Sequence, residues 1–179
     1  FFDKGFFRIQ MNRSNNNQVF DDSNESFPVL SEHDLEYTSF VVKGKQSINS
    51  SLNYEASFNQ KTERVNSSDL EQRKLKTTSL FFTGNYVNLE NDYKISPSLR
   101  FDSREENEKS TFNLGFEALN KFNKSNSSFD FNIDIGSSFQ FPTMNDLFWP
   151  DGLYSSGNPT LKSEESEYMA FSIVNQSSL

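Results

Sequence analysis

Between residues 128 and 141 apolar and polar side chains alternate. Phe129, Phe131, Ile133, Ile135, Phe139 and Phe141 fall on one side of an extended chain, and Ser128, Asp130, Asn132, Asp134, Ser138 and Gln140 on the other. A period of two predicts a strand with one greasy and one hydrated face. Pro142 has no N–H for a ladder and ends it. A turn-rich, irregular segment follows, and a new strand is expected from about Glu167, with Met169, Phe171 and Ile173 on one face.

The same pattern recurs upstream. Residues 5–12 set Phe7, Ile9 and Met11 against Phe6, Arg8 and Gln10, and the polar run after them predicts a long loop containing His33. Residues 35–42 read as a strand apolar on both faces, and Lys43–Gln46 as a short turn. Over 47–59, Ile48, Leu52, Tyr54, Ala56 and Phe58 oppose Asn49, Ser51, Asn53, Glu55, Ser57 and Asn59. A charged loop leads to a strand over 75–89, mixed around Leu80, Phe81 and Phe82, and Asn91–Asp92 signals a tight turn. Over 93–102, Tyr93, Ile95, Leu99 and Phe101 oppose Lys94, Ser96, Ser98 and Arg100, with Pro97 in a position that belongs to an edge or bulge. A polar loop precedes 111–119, where Phe112, Leu114, Phe116 and Ala118 oppose Thr111, Asn113, Gly115 and Glu117.

The pattern therefore predicts eight strands, paired as consecutive antiparallel hairpins, and no convincing helix. Long connections (13–34, 60–73, 142–166) alternate with short ones (43–46, 90–92), and the contrast fades at 103–110 and 120–127. Long loops at one end and short turns at the other mark an outer-membrane barrel.

Composition sharpens this. Only 34% of the 179 residues are hydrophobic and the net charge is −8, yet there are 20 Phe and 6 Tyr. A solvated, disordered chain lacks such aromatics, and a soluble core favours Leu, Val and Ile over Phe. A wall facing lipid on one side and water on the other accommodates both excesses. No run approaches the roughly 18 apolar residues of a membrane helix. There are no cysteines, hence no disulfide and no thiolate metal site. The acidic balance excludes a basic nucleic-acid face. Opening on Phe1 without a leader and closing on Leu179, the chain reads as an internal segment of something longer.

Catalytic chemistry finds no support. There is no Gly-rich phosphate loop, no Gly-x-Ser-x-Gly and no Ser/His/Asp order. His33 lacks partner ligands, and Asp21–Asp22 and Glu105–Glu106 lack calcium-loop spacing. Asp130 and Asp134 read as groups that hydrate one face. The chain is expected to be no enzyme and to hold no cofactor or metal.

The segment after the Phe-rich strand goes beyond fold class. Phe139, Pro142, Thr143, Asn145, Asp146, Leu147, Phe148 and Trp149 are followed by Gly157, Asn158, Pro159, Leu161, Lys162, Glu164 and Ser166. This resembles the TonB-dependent outer-membrane receptors, whose strand ends in Phe-Arg-Ala-Pro-Thr, followed by Leu-x-Asp/Glu-Leu-Tyr and then Asn-Pro-Asp-Leu-Lys-Pro-Glu. Upstream, KISPSLRFD looks like the family's strand that carries Arg and Asp, here Arg100 and Asp102. Gln140, Phe141 and Ser163 stand where the family has Arg, Ala and Pro. The resemblance covers roughly residues 93–173.

It implies an all-β, antiparallel up-and-down transmembrane barrel of about 22 strands with a plugged lumen. Residues 1–179 would supply about eight of those strands as an open segment, without the plug or the C-terminal strands. The bacterial outer membrane would be its location. Membrane lipid, TonB acting through the missing plug region, and a scarce bulky nutrient would be its partners. The Asn-Asp-Leu-Phe-Trp-Pro run is similar to the cobalamin-receptor branch, which implies a corrinoid first and a ferric siderophore second. The motif residues read mainly as structural, with ligand contact as the second reading. Asn158–Pro159 keeps the chain extended as it re-enters the wall, Lys162 and Glu164 are placed to bond within the loop, and Trp149 and Tyr154 suit a polar–apolar boundary. Two alternatives remain at this point. One is a closed eight-stranded barrel serving as adhesin or anchor, in which residues 5–12 pair with 167–174. The other is a soluble, carbohydrate-binding β-sandwich with its Phe faces packed together.

Overall fold

The computed structural model describes residues 5–22, 29–68, 71–88, 92–105, 107–118, 127–150 and 156–177. It is all-β, with one five-residue helix. In chain order the elements are β1 (Gly5–Asp22), β2 (Val29–Ser47), β3 (Leu52–Ser67), β4 (Glu71–Asn88), β5 (Tyr93–Arg104), β6 (Asn107–Ala118), β7 (Ser127–Gln140), α1 (Met144–Phe148) and β8 (Glu164–Ser177). The strands form a single antiparallel sheet in the order β1 to β8. Each pair keeps one register along its length. The sheet is open. β1 and β8 are its edges and do not pair, so the contact that would close an eight-stranded barrel is absent. No second sheet covers it among the described residues, as a sandwich would require.

Several expected loops are strand. Within the runs 13–34 and 60–73, residues 13–22, 29–34, 60–67 and 71–73 continue the ladders of β1, β2, β3 and β4, which are 18, 19, 16 and 18 residues long. β5 and β6 have 12 residues each. Roughly 9–11 residues suffice to cross a bilayer, so the first four strands extend well beyond any such span. Alternation reports a difference between two faces. Where both faces are wet the ladder continues with no pattern to betray it. His33 accordingly lies in β2, with its Nδ1 2.7 Å from the Ser67 hydroxyl, and not in a loop. Lys43–Gln46 is paired within β2, and the turn falls at residues 48–51. There the Asn49 side chain accepts from the N–H groups of Ser51 (2.9 Å) and Leu52 (2.8 Å). Ile48 therefore belongs to the turn, while Leu52, Tyr54, Ala56 and Phe58 share a face as expected. The polar stretch 103–110 is also mostly ladder, closed by a turn at Glu105 with φ 53°. Asp92, with φ 50°, marks the anticipated turn before β5.

Pro97 sits inside β5, between two strands, not at an edge. The β4–β5 pairing skips Gly84 and Asn85 opposite Ser96 and Pro97, where the missing N–H would have bonded. Thr83 Oγ1 donates to Pro97 O (3.0 Å) and Ser96 Oγ to Asn85 Oδ1 (3.0 Å), bridging the gap through side chains.

The two faces are inverted relative to a soluble protein. The apolar face is open to the surroundings: Ile9 is 60% exposed, Leu80 51%, Leu99 54% and Met169 77%. The covered small residues lie on the polar face, where Ser39, Thr77, Asp102 and Thr111 are all below 9% exposure. Val65, Leu75, Ala118 and Leu147 are the only buried apolar side chains described. Accessible surface totals 13064 Å², against about 8,900 Å² for a soluble globular chain of this mass. Phe129, Phe131, Ile133 and Ile135 stay on the apolar face. Phe139 and Phe141 leave it, and their rings lie beneath arginines of the polar face.

Candidate functional site

The expected irregular segment after β7 contains a helix. Thr143 caps α1: its hydroxyl accepts from Asp146 N at 3.2 Å, and the Asp146 carboxylate accepts from Thr143 N at 2.7 Å and from the Thr143 hydroxyl at 2.7 Å. Five residues are too few for a helical period to be read, so the Thr-x-x-Asp spacing was the one available signal. Leu147 is the buried residue of the turn, and Trp149 closes it, its N–H donating to Asn145 O at 3.0 Å.

The second half of the motif docks on this turn. Gly157 N donates to Trp149 O (2.8 Å) and Asn158 N to Asp146 O (2.8 Å). A Cβ on Gly157 would stand 2.4 Å from Trp149 N and 2.6 Å from Phe148 N, so only glycine permits this approach. Asn158 Oδ1 then accepts from Thr160 N (3.0 Å) and Thr160 Oγ1 (2.7 Å), and Leu161 N donates to Asn158 O (3.0 Å). Pro159 sits within this turn. Lys162 is exposed, Glu164 opens β8 opposite Gln140, and β8 thus begins three residues earlier than the alternation indicates. Neither side chain bonds to a described residue of the loop; both border a small hollow with Phe141, Pro142 and Asp146. Tyr154 lies outside the described residues.

The segment is pinned to the polar face of the sheet. Arg104, on β5, donates through Nη1 to Pro142 O (2.8 Å) and through Nε to Thr77 Oγ1 (2.8 Å), lies 3.6 Å from Glu63, and stacks over Phe141 at 4.7 Å. Arg73 on β4 stacks over Phe148 at 4.9 Å. Beside Arg104, Arg100 binds Asp102 through two bonds (2.6 and 3.0 Å) and lies 5.8 Å from the Phe139 ring, while Ser79 Oγ donates to Asp102 (2.5 Å). The 1%-exposed Asp102 is thereby fully partnered. Arg104 and Arg73 escape a sequence reading because their partners are distant in the chain. Continuing the β5 alternation past residue 102 would have placed Arg104 on the polar face.

Between loop and wall lies a hollow of about 600 Å³, bordered by Tyr37, Lys61, Glu63 and Leu75 on the wall and by Phe141, Met144 and Asn145 on the loop, with Arg104 between them. Lys61 pairs with Glu63 (2.9 Å) and lies over the Tyr37 ring (5.5 Å). Aromatic surface, a carboxylate shared by Lys61 and Arg104, and an amide converge there, which suits a bulky ligand with an apolar body and polar rim. Thus Pro142, Thr143 and Asn145 border the cavity, whereas Asp146, Leu147, Gly157 and Asn158 hold its roof in shape.

The Thr143 N–H and hydroxyl hold the Asp146 carboxyl below the usual carboxylate range. A depressed pKa means that the cap contributes above the unfolded value and is lost as pH falls through the folded one. Emission from Trp149, the single tryptophan, is therefore expected to shift in a step on acidification below the ordinary aspartate range. Asp146→Asn should abolish the step.

No protein-family model matches the chain, and neither a curated protein nor a solved structure does.

Proposed function

We propose that this chain is part of the barrel wall of a TonB-dependent outer-membrane receptor, with its apolar face on lipid and its polar face on a wet lumen. The slant of the apolar band supports this most. Ile9 is the centre of the β1 trio Phe7, Ile9 and Met11, and its row of paired partners runs Val42, Phe58, Leu80, Phe101 and then Ser110 on β6. The β6 trio Phe112, Leu114 and Phe116 is centred four residues further along, on Leu114. At roughly 3.3 Å per residue and 4.8 Å per strand, the band crosses the hydrogen-bond rows at about 30°. A level membrane imprints such a slant on strands tilted by about 35–45°. The open edges support a larger cylinder, since β1 and β8 would otherwise present unpaired backbone to hydrocarbon.

In this reading the loop between β7 and β8 folds inward at the outer mouth and the hollow beneath it takes part in capturing a scarce bulky nutrient, a corrinoid first and a ferric siderophore second. TonB would act through a plug region outside residues 1–179. The motif residues named above and the exposed apolar band are what the reading rests on.

The absence of cysteine makes a depth test clean. Single cysteines at Leu80, Leu99 and Phe116, labelled with a fluorophore in vesicles, should be strongly quenched by lipid-borne nitroxides, and those at Ser79, Ser98 and Asn113 weakly. Equal quenching on both faces would reject the membrane wall. Saturable binding of cobalamin or a ferric siderophore by the full-length receptor tests the cargo, and binding of neither would remove it.

A further inference from the structure

Just beyond the apolar band, on the same outward face, the long strands β1–β4 carry a group of cations. The band ends on β1 and β2 at Met11 and Phe40, which are register partners. The next row is Arg13, Thr38, Thr62 and Lys76, and the one after it Asn15, Glu36, Arg64 and Lys74. Each step is roughly 7 Å, two residues of extended chain. Arg64 and Lys74 are direct cross-strand partners, an arrangement that like charges disfavour. Glu36 is shared by Arg13 (3.3 Å) and Arg64 (3.6 Å), and Thr38 Oγ1 donates to it (3.4 Å). Lys74 and Lys76 are exposed and make no ion pair with a described residue. In a chain of net charge −8, these two rows hold four cations around one carboxylate. A hollow of about 460 Å³ opens among them, with Met11 at the band side and Arg13, Glu36, Thr38, Thr62 and Arg64 around it.

We infer that this is a binding site for the phosphorylated headgroup of a membrane lipid, whose acyl chains lie along the Ile9–Val42–Phe58–Leu80 row. The inference rests on the membrane placement proposed above. Charge complementarity selects the ligand: basic side chains at the membrane surface attract anionic headgroups, and a phosphate between Arg64 and Lys74 offsets the repulsion that Glu36, paired with Arg64 and not with Lys74, leaves in place. Glu36 keeps the two arginines spread beneath the headgroup, and the hydroxyls of Thr38 and Thr62 supply neutral donors. Met11 and Phe40, directly below Arg13 and Thr38, distinguish a lipid from a free anion, because they join the charged hollow to the Ile9–Val42–Phe58–Leu80 row along which the acyl chains lie.

The test uses the full-length protein that carries residues 1–179, in detergent micelles, titrated with diphosphorylated lipid A, with its dephosphorylated form and with inorganic phosphate, and followed by thermal unfolding and by native mass spectrometry. Diphosphorylated lipid A should raise the unfolding temperature and remain bound, and the other two should not. Arg64→Gln, Lys74→Gln and Lys76→Gln should each weaken the affinity about fivefold. Lys45→Gln, the same charge change on the polar face, should leave it unaltered. Unchanged affinity in the three variants, or an equal effect of inorganic phosphate, would overturn the site. Quenching that follows the apolar face together with no headgroup preference removes this inference alone, and loss of the quenching pattern removes both.

Discussion

Arginine in place of Leu99 should destabilise the membrane-reconstituted protein by about 2–4 kcal/mol, the cost of that side chain near the middle of the lipid face of a barrel. Leu99 lies at the centre of the row joining Phe82 on β4 to Phe112 on β6 and is 54% exposed. In a soluble protein a half-exposed leucine on an uncovered surface is changed for a few tenths of a kcal/mol. The two environments thus predict costs several-fold apart for one substitution. Ser98→Arg, one residue earlier and on the polar face beside Thr83 and Asn113, should cost about 1 kcal/mol or less, since a hydrated wall tolerates charge. Urea unfolding in vesicles measures both. Equal, small effects would mean that the apolar face does not meet hydrocarbon.

The fold was legible wherever the two sides of a strand differ in what they touch. The faces of Tyr93–Phe101, Phe112–Ala118 and Phe129–Ile135 follow directly from alternation, and so does the consecutive hairpin order. Legibility ended where both sides are wet. Asn15, Asn17, Arg64 and Asn66 give no contrast, yet their backbones pair as regularly as those of Ile9 or Phe58. Polarity was evidence of solvent on both faces and not of a loop. The site was legible in part. The motif residues, picked out by their order and spacing, come together because Gly157 and Asn158 bond to the turn that Thr143 and Asp146 cap. Contacts that anchor this turn to the wall are between residues far apart in sequence: Arg104 and Pro142 are separated by 38 positions. No local pattern encodes them. Phe139 and Phe141 broke the alternation for the same reason, since each ring takes an arginine partner from another strand.

Gly157→Ala should undock the second half of the motif while leaving the sheet intact. The added methyl would lie under 3 Å from three backbone atoms of residues 147–149, and backbone cannot swing aside as a flexible side chain would. Overpacking of this kind costs about 1–3 kcal/mol, comparable to the two backbone bonds, Gly157 to Trp149 and Asn158 to Asp146, that hold the segment. Relief is therefore expected by release of residues 156–161 from α1. Trp149 reports it directly: it accepts the Gly157 bond at its carbonyl, so its emission should move toward that of a solvated indole, and protease should cut the released segment faster. Ser156→Ala, at an exposed neighbour, should change neither. Urea unfolding of the sheet should stay within about 0.5 kcal/mol of the parent, because no strand pairing involves residue 157. An unchanged Trp149 spectrum in Gly157→Ala would show that the two halves of the motif do not meet, and the hollow beside Arg104 would then lack the roof that gives it a fixed shape for a ligand.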